Sequence, residues 1–279
     1  MYASGVRGCV ILVVVGACGF NPGTLAADGP PPDQPDMFTP TWAVDATSKK
    51  GVPANAAEWT QLATATGVPT AVPDHVWLMQ DPSGSLQDSI GTVVLTPLAA
   101  PTYNNAVAGW SRVAVGTNYT DSNHGFLSTA VGNLNGTSHL LLVYVAVLAP
   151  PSTERSVLGI GADLDHRWVA ITPAPVYKGT GTGVTPALGT LNPMATVHPL
   201  VVKIDATHSA YVIYTDQEKL NVTWANTMGR GGLLIIGNAI VGAVSARYLY
   251  TAMWSGPKAE LSDADVKKLL VNLGWTVSY

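Results

Sequence analysis

Charge is what this sequence has least of. Lys, Arg, Asp and Glu make up 11% of its 279 residues, where an ordinary soluble domain carries about 25%. The net charge is −4. That argues against a nucleic-acid partner, which requires a basic face to displace counterions from phosphates. Cysteine is nearly missing as well. Cys9 and Cys18 are the whole complement, too few for a disulfide-stapled scaffold. No apolar run reaches the roughly 18 residues of a membrane-spanning helix. No repeat of fixed period is visible, which argues against propellers and solenoids. What the chain has instead is 47% hydrophobic residues, 28 Gly and 20 Pro. Short apolar segments broken by frequent turns follow. Eight Trp and ten Tyr, against three Phe, argue against global disorder.

The N-terminus reads as a processing signal. One cation, Arg7, precedes the apolar run Val10–Val15, which ends in Gly16-Ala17-Cys18. Residues 1–17 are expected to be a secretory signal peptide. The tail Val15-Gly16-Ala17-Cys18 resembles the bacterial lipobox, in which the Cys receives a diacylglycerol and the peptide is cut just before it. Val15 and Gly16 depart from the commoner residues of that motif, and Val15-x-Ala17 also fits an ordinary secretory cleavage site. Cysteine arithmetic favours lipidation. Cys9 is lost with the signal, so Cys18 would stand alone at the mature N-terminus with no disulfide partner. Each buried lipid CH₂ contributes about 0.8 kcal/mol, so several acyl chains anchor stably without a membrane-spanning helix. The expected address is the bacterial cell envelope, with the domain facing periplasm or exterior and the membrane as a partner through the lipid.

Residues 18–54 are expected to be the lipidated Cys and a tether. Gly19–Asp36 is rich in Pro, Gly and Asp, and Pro30-Pro31-Pro32 favours extended polyproline II. Residues 55–74 should form a short helix and lead-in. Asn55 and Glu58 make a capping-box-like start, Trp59, Leu62, Ala63 and Thr66 share one face, and Gly67 is a stop signal. Trp59 should pack this helix on the next domain.

A sandwich domain is expected over residues 75–279, and from His75 to Trp254 its pattern is all-β. Candidate strands lie at 76–79, 93–96, 111–115, 125–130, 139–148, 156–162, 167–172, 200–205, 210–215, 232–237 and 243–254. The run 139–148 is apolar throughout and suits a strand buried on both faces. A short helix closes the chain. Ser262 and Asp265 form a capping box, Val266, Leu269, Leu270 and Leu273 form one stripe, Gly274 ends it, and Trp275 anchors the end. Leu269 and Leu270 should bury as a lid on one edge of the domain. The fold class expected is a two-sheet antiparallel jelly-roll sandwich with a short helix at each end.

Three segments carry a family resemblance. Trp77–Gly84, continuing into Leu86-Gln87-Asp88-Ser89-Ile90-Gly91, is similar to the opening strand and D-S-x-G turn of laminin G-like jelly rolls. Leu200–Leu220 resembles their strand–turn–strand hairpin. Gly231–Gly237 followed by Ala246–Asp263 resembles their closing strands and helix. The sequence from His75 to Trp275 therefore resembles the concanavalin A-like lectin/glucanase superfamily. The resemblance implies a sandwich, and says little of function, because that sandwich hosts lectins, glycosidases, lyases and adhesion modules.

Catalytic motifs are missing. Glycosidases of this fold resemble one another in a Glu-x-Asp-x-x-Glu strand that sets two carboxylates on one face. Glu58, Glu154, Glu218 and Glu260 are the only Glu residues, and none has that spacing. The Gln-x-His of the fold's lyases, a Gly-x-Ser-x-Gly elbow and zinc-ligand spacings are absent too. Asp163 and Asp165 form the nearest acidic pair, equally well read as a polar turn. The six His are scattered, as surface or strand-end residues would be. Jelly rolls of this superfamily often hold structural calcium, and Asp121, Asp163 and Asp165 supply hard oxygens for it, although turns that satisfy their own backbone are the favoured account of such residues. For a glycan, the loop candidates are Trp110, Tyr119, Asn123 and Tyr177, with Tyr103 beside them, since rings with polar tips suit sugar faces as well as sandwich cores. Trp254 and Trp275 sit on periodic elements and should be core. The reading is a non-catalytic, lipid-anchored protein that binds glycan or another surface partner. The alternatives are a glycosidase or lyase of the same fold, or a structural surface module with no small ligand.

Overall fold

The computed structural model describes residues 50–66, 72–79, 86–97, 102–104, 109–111, 124–128, 136–149, 152–153, 155–161, 169–171, 177–179, 196–207, 210–223, 233–238 and 245–279. All belong to the compact unit Pro40–Tyr279. Helix α1 (Ala56–Thr66) is followed by β1 (His75–Trp77), β2 (Leu86–Gln87), β3 (Val94–Pro97), β4 (Thr102–Asn104), β5 (Gly109–Ser111) and β6 (His124–Ser128). Next come β7 (His139–Ala149), β8 (Arg155–Gly161), β9 (Val169–Ile171), β10 (Tyr177–Gly179), β11 (His198–Ile204), β12 (Ala210–Tyr214) and β13 (Lys219–Thr223). The chain closes with β14 (Leu233–Asn238), β15 (Ser245–Ser255), a 3₁₀ turn (Gly256–Ala259) and helix α2 (Asp263–Asn272). Among the described residues no helix is long and apolar enough to cross a membrane.

The strands form two antiparallel sheets, as expected. One has eight strands in the order β13–β12–β11–β7–β15–β5–β4, with β1 also paired to β15. The other has seven, in the order β10–β9–β8–β14–β6–β3–β2. Leu141, Val143, Val145 and Val147 of β7 meet Val157, Leu158, Leu234 and Ile236 of the seven-stranded sheet in the core between the sheets. The Tyr248 hydroxyl crosses that core and donates to the Val157 carbonyl at 3.1 Å.

The other face of β7 is buried too. Leu140, Leu142, Tyr144 and Ala146 belong to a second core with Trp59 and Leu62 of α1 and Val266, Leu269 and Leu270 of α2. Both helices lie against the outer face of the eight-stranded sheet, which is why β7 is apolar on both faces from Leu140 onward. Alternation along β15 changes parity at a register shift between Tyr248 and Tyr250. Tyr248 points into the first core, whereas Tyr250, Ala252 and Trp254 point into the second. The extra residue, Leu249, is what reverses the faces.

Local signals set the helix ends. The Asn55 side chain accepts from Glu58 N at 3.1 Å, and Glu58 Oε2 accepts from Ala54 N at 2.7 Å. Ser262 accepts from Asp265 N, and Asp265 reaches back to Ser262 N, a reciprocal cap. Gly274 takes φ 92°, a left-handed conformation that suits glycine after a helix. Trp275 then packs edge-on against Tyr144, with centroids 5.1 Å apart. One expectation is corrected here. Leu269 and Leu270 cover the broad outer face of a sheet, not one edge of the domain, because their partners are the central strands β7 and β15.

Candidate functional site

A pocket of about 400 Å³ opens at the end of the eight-stranded sheet where β7 begins and β11 ends. Its walls come from three places: Ser138 before β7, the β11–β12 hairpin around Asp205, and the connection from the 3₁₀ turn to α2. Ile204, Ala206, Ala210, Val212, Ala259 and Leu261 supply apolar lining. Ser138, Lys203, Asp205 and Glu260 stand around them, each held by a neighbour, and Tyr211 completes the lining. Ser138 Oγ donates to Glu260 Oε1 at 3.1 Å. The Lys203 ammonium donates to the Leu261 carbonyl at 2.9 Å and lies 3.9 Å from Asp263. Thr207 Oγ1 donates to Asp205 Oδ1 at 3.0 Å. The size and the mixed lining are those of a small-molecule site.

Beside the lining residue Lys203 a charge cluster pins α2 to the sheet. The Tyr214 hydroxyl donates to Asp263 Oδ1 at 2.6 Å, and Lys219 donates to Asp263 Oδ2. Asp263 stands in the first turn of α2, where a negative charge complements the helix dipole. The bond from Lys219, then that from Tyr214, hold its carboxyl below the usual 3.8. Burial, then the bond to Asp263, push the Tyr214 hydroxyl far above its ordinary value. Burial pushes Tyr279 up to about 12.

Two His–Asp pairs lie elsewhere, and both are structural. His75 Nδ1 donates to Asp88 Oδ2 at 2.7 Å, a carboxylate being able only to accept. Asp88 Oδ1 accepts from Val76 N at 2.9 Å and Ile90 N at 3.0 Å. Burial opposes ionisation of Asp88, but the His75 bond and those from Val76, Gly91 and Ile90 together hold its carboxyl below 3.8. Ser89 lies nearby, yet its hydroxyl donates to the Val76 carbonyl at 3.2 Å. A nucleophile would instead be bonded to the imidazole. This constellation ties the 88–91 turn to β1. His198 Nδ1 donates to Asp216 at 2.8 Å, and the Asp216 carbonyl accepts from Ser278 N at 2.9 Å, tying down the C-terminal residues.

The site residues expected from sequence are only partly placed. Cys18, Tyr119, Asp121, Asn123, Asp163 and Asp165 lie outside the described residues. Trp110 and Tyr177, expected in loops, stand in strands β5 and β10, and Tyr103 in β4. Trp110 pairs with Tyr103 on one side and Tyr248 on the other. Three-residue strands are too short for alternation to show in a sequence. Among the described residues no group of three or more His, Cys, Asp or Glu is placed to hold a metal ion. The sequence reading missed Ser138, Lys203, Asp205 and Glu260 as a group. Their one local signal is a polar turn, Asp205-Ala206-Thr207, between apolar strands.

No protein-family model matches the sequence, and no curated protein matches it. Solved structures share the fold. A Trypanosoma rangeli sialidase in complex with sialic acid aligns with TM-score 0.55 at 13% identity, over 76% of this chain and 35% of that one. The same sialidase as its difluorosialic acid covalent intermediate gives TM-score 0.56 at 12% identity, with the same coverages. The binding domain of botulinum neurotoxin DC in complex with SialylT gives TM-score 0.52 at 10% identity, over 73% of this chain and 52% of that one. This chain thus spans about a third of the sialidase and about half of the toxin domain. Identities this low establish a shared β-sandwich fold and nothing about chemistry.

Proposed function

We propose that this chain is a non-catalytic, lipid-anchored envelope protein whose sandwich binds glycan in the pocket at the end of the eight-stranded sheet. One observation carries the reading. The pocket combines apolar lining with fixed hydroxyl, ammonium and carboxylate groups, the mixture that suits a sugar's apolar face and hydroxyl rim. It does so on a fold shared with a sialidase solved with sialic acid and a toxin domain solved with SialylT. The finer fold assignment, a concanavalin A-like, laminin G-like jelly roll, belongs to the same proposal, as does the anchor at Cys18.

The pocket does contain two carboxylates, Asp205 and Glu260. Glycosidases pair an ionised carboxylate with one kept protonated in an apolar enclosure. Glu260 is exposed and Asp205 half-buried, so neither has that enclosure, and the reading is of binding without turnover. The test is a glycan array and a reducing-end assay on the full chain. Binding in the high micromolar range, about −5 to −6 kcal/mol, with no reducing ends released, supports it. Release of reducing ends that Asp205→Asn or Glu260→Gln abolishes makes the protein a glycosidase instead. For the anchor, Cys18→Ser should abolish acyl labelling and leave unprocessed precursor; a wild-type chain that takes up no label refutes lipidation.

A further inference from the structure

We infer that residues 50–53 form a strap that locks both helices onto the sheet, and that the pocket keeps its wall only while this strap is seated. The segment lies within the stretch that reads as tether in the sequence, yet Gly51, Val52 and Pro53 are buried. Val52 belongs to the second core, with Trp59 and Leu269. Two carbonyls of the segment bond to the sheet. Tyr144 Oη donates to the Gly51 carbonyl at 2.8 Å, and Tyr250 Oη donates to the Pro53 carbonyl at 2.7 Å. Tyr144 and Tyr250 are register partners on β7 and β15, so the segment crosses the two central strands over this pair. Both rings are fully buried, and a hydroxyl at that depth is costly to strip of an acceptor.

The same segment holds both helices. Gly51 N donates to the Leu273 carbonyl at 2.8 Å, and the Lys50 ammonium donates to the Gly274 carbonyl. That ammonium also lies 5.0 Å from the centre of the Trp275 ring. On its other side the strap runs directly into the cap of α1, where Ala54 N meets Glu58. None of these partners belongs to the core between the sheets.

Helix α2 carries the strap's effect to the pocket. Ala259, Glu260 and Leu261, just before the helix, line the pocket. The carbonyls that accept from the strap stand at its far end. Ten residues of helix span about 15 Å and join the two ends as one rigid piece. Ala259 and Leu261 are buried in the second core, and the Leu261 carbonyl holds Lys203 at 2.9 Å. When the strap leaves, α2 loses its tie to the sheet at one end, and the pocket wall loosens at the other. The two cores use different side chains, so the helical layer opens as a unit while the core between the sheets stays closed.

The test is hydrogen exchange on the full chain, followed by mass spectrometry in the wild type and three variants. Tyr250→Phe keeps the ring and removes the bond to Pro53. It should speed exchange about fivefold, the effect of one hydrogen bond, in the strap, α1, α2 and the pocket wall together. Strands β8 and β14 should keep their wild-type rates. Val52→Ala, a change on the strap itself, should give the same pattern. Tyr248→Phe removes the bond that crosses the other core to Val157, and should leave strap, helices and pocket wall at wild-type rates. Acceleration confined to the strap would mean that the pocket wall stands without it, and would overturn the inference. Equal acceleration in β8 and β14 would mean that the molecule opens as one body, and overturns it as well, as do unchanged rates in both strap variants.

Discussion

Trp59 meets Trp254 edge-on, the two rings at 90° with centroids 5.1 Å apart. The contact joins helix α1 to β15, one of the two longest described strands, near its end, across nearly two hundred intervening positions. Both rings are fully buried, and edge-to-face pairs add about 0.5–1.5 kcal/mol beyond the area they bury. Around this pair the second core is assembled.

Truncation in that core should be costly. Trp59→Ala should lose about 3–5 kcal/mol and Leu269→Ala about 2–5 kcal/mol, the ranges for buried large-to-small changes. Val271, two positions along α2 and 49% exposed, supplies the control: Val271→Ala should stay within about 0.5 kcal/mol. Urea denaturation of the three variants decides it. A small loss at both buried positions would mean that the helices are loosely attached to the sheet.

The Asp88 turn should set the acid limb of stability. Its folded carboxyl is held below 3.8, so its contribution is complete above the unfolded value and is lost as pH falls through the folded one. Asp88→Asn should lose about 1–3 kcal/mol at neutral pH, because Val76 N, Ile90 N and His75 lose their charged acceptor. It should also show a shallower decline on acidification than the wild type. Gly91→Ala should behave like it. A Cβ at Gly91 would stand 2.4 Å from Asp88 Oδ2 and 3.0 Å from the Asp74 carbonyl, so the carboxylate must leave its place. Denaturation midpoints followed from neutral to acid pH would reveal an unchanged slope if the turn were incidental.

At alkaline pH the relevant groups are Tyr214 and Tyr279. Both hydroxyls titrate above the ordinary value of 10.0 in the folded chain. Their contribution is complete below the unfolded value and is lost as pH rises through the folded ones. Stability should therefore fall above pH of about 10. Tyr214→Phe should cost about 1–2 kcal/mol at neutral pH through the bond to Asp263 and should flatten the alkaline decline. Thermal melts across that range test the sign: a variant that declines as steeply as the wild type places the titration elsewhere.

Much of the fold is legible in the chain because its strongest elements are written locally. Every residue from Leu140 to Val147 is apolar, and that alone describes a strand covered on both sides. Ser262 and Asp265 announce α2 by a cap that depends on residues three apart, and Asn55 with Glu58 does the same for α1. Strands β4, β5 and β10 are harder to read, since three residues such as Tyr177–Gly179 carry no period. The parity change at Leu249 is invisible before the register with β7 is known. The pocket is the least legible feature. Asp205 and Glu260 line one pocket because β11, β7 and β15 are neighbours, and strand order is set by packing across the whole sheet. No spacing within the sequence encodes it.

The neighbours at the centre of the eight-stranded sheet, β1, β7 and β15, come from the beginning, middle and end of the folded unit. Neither core closes without β15, and the outer one also awaits Trp275. Completing the fold therefore depends on contacts between distant positions, the kind that make a β-protein fold in milliseconds to seconds and not in microseconds. While the chain is still being synthesised, β7, β11, β12 and β13 can pair with one another, but β1, β4 and β5 have no route into their sheet, and neither core can be sealed, until β15 is present.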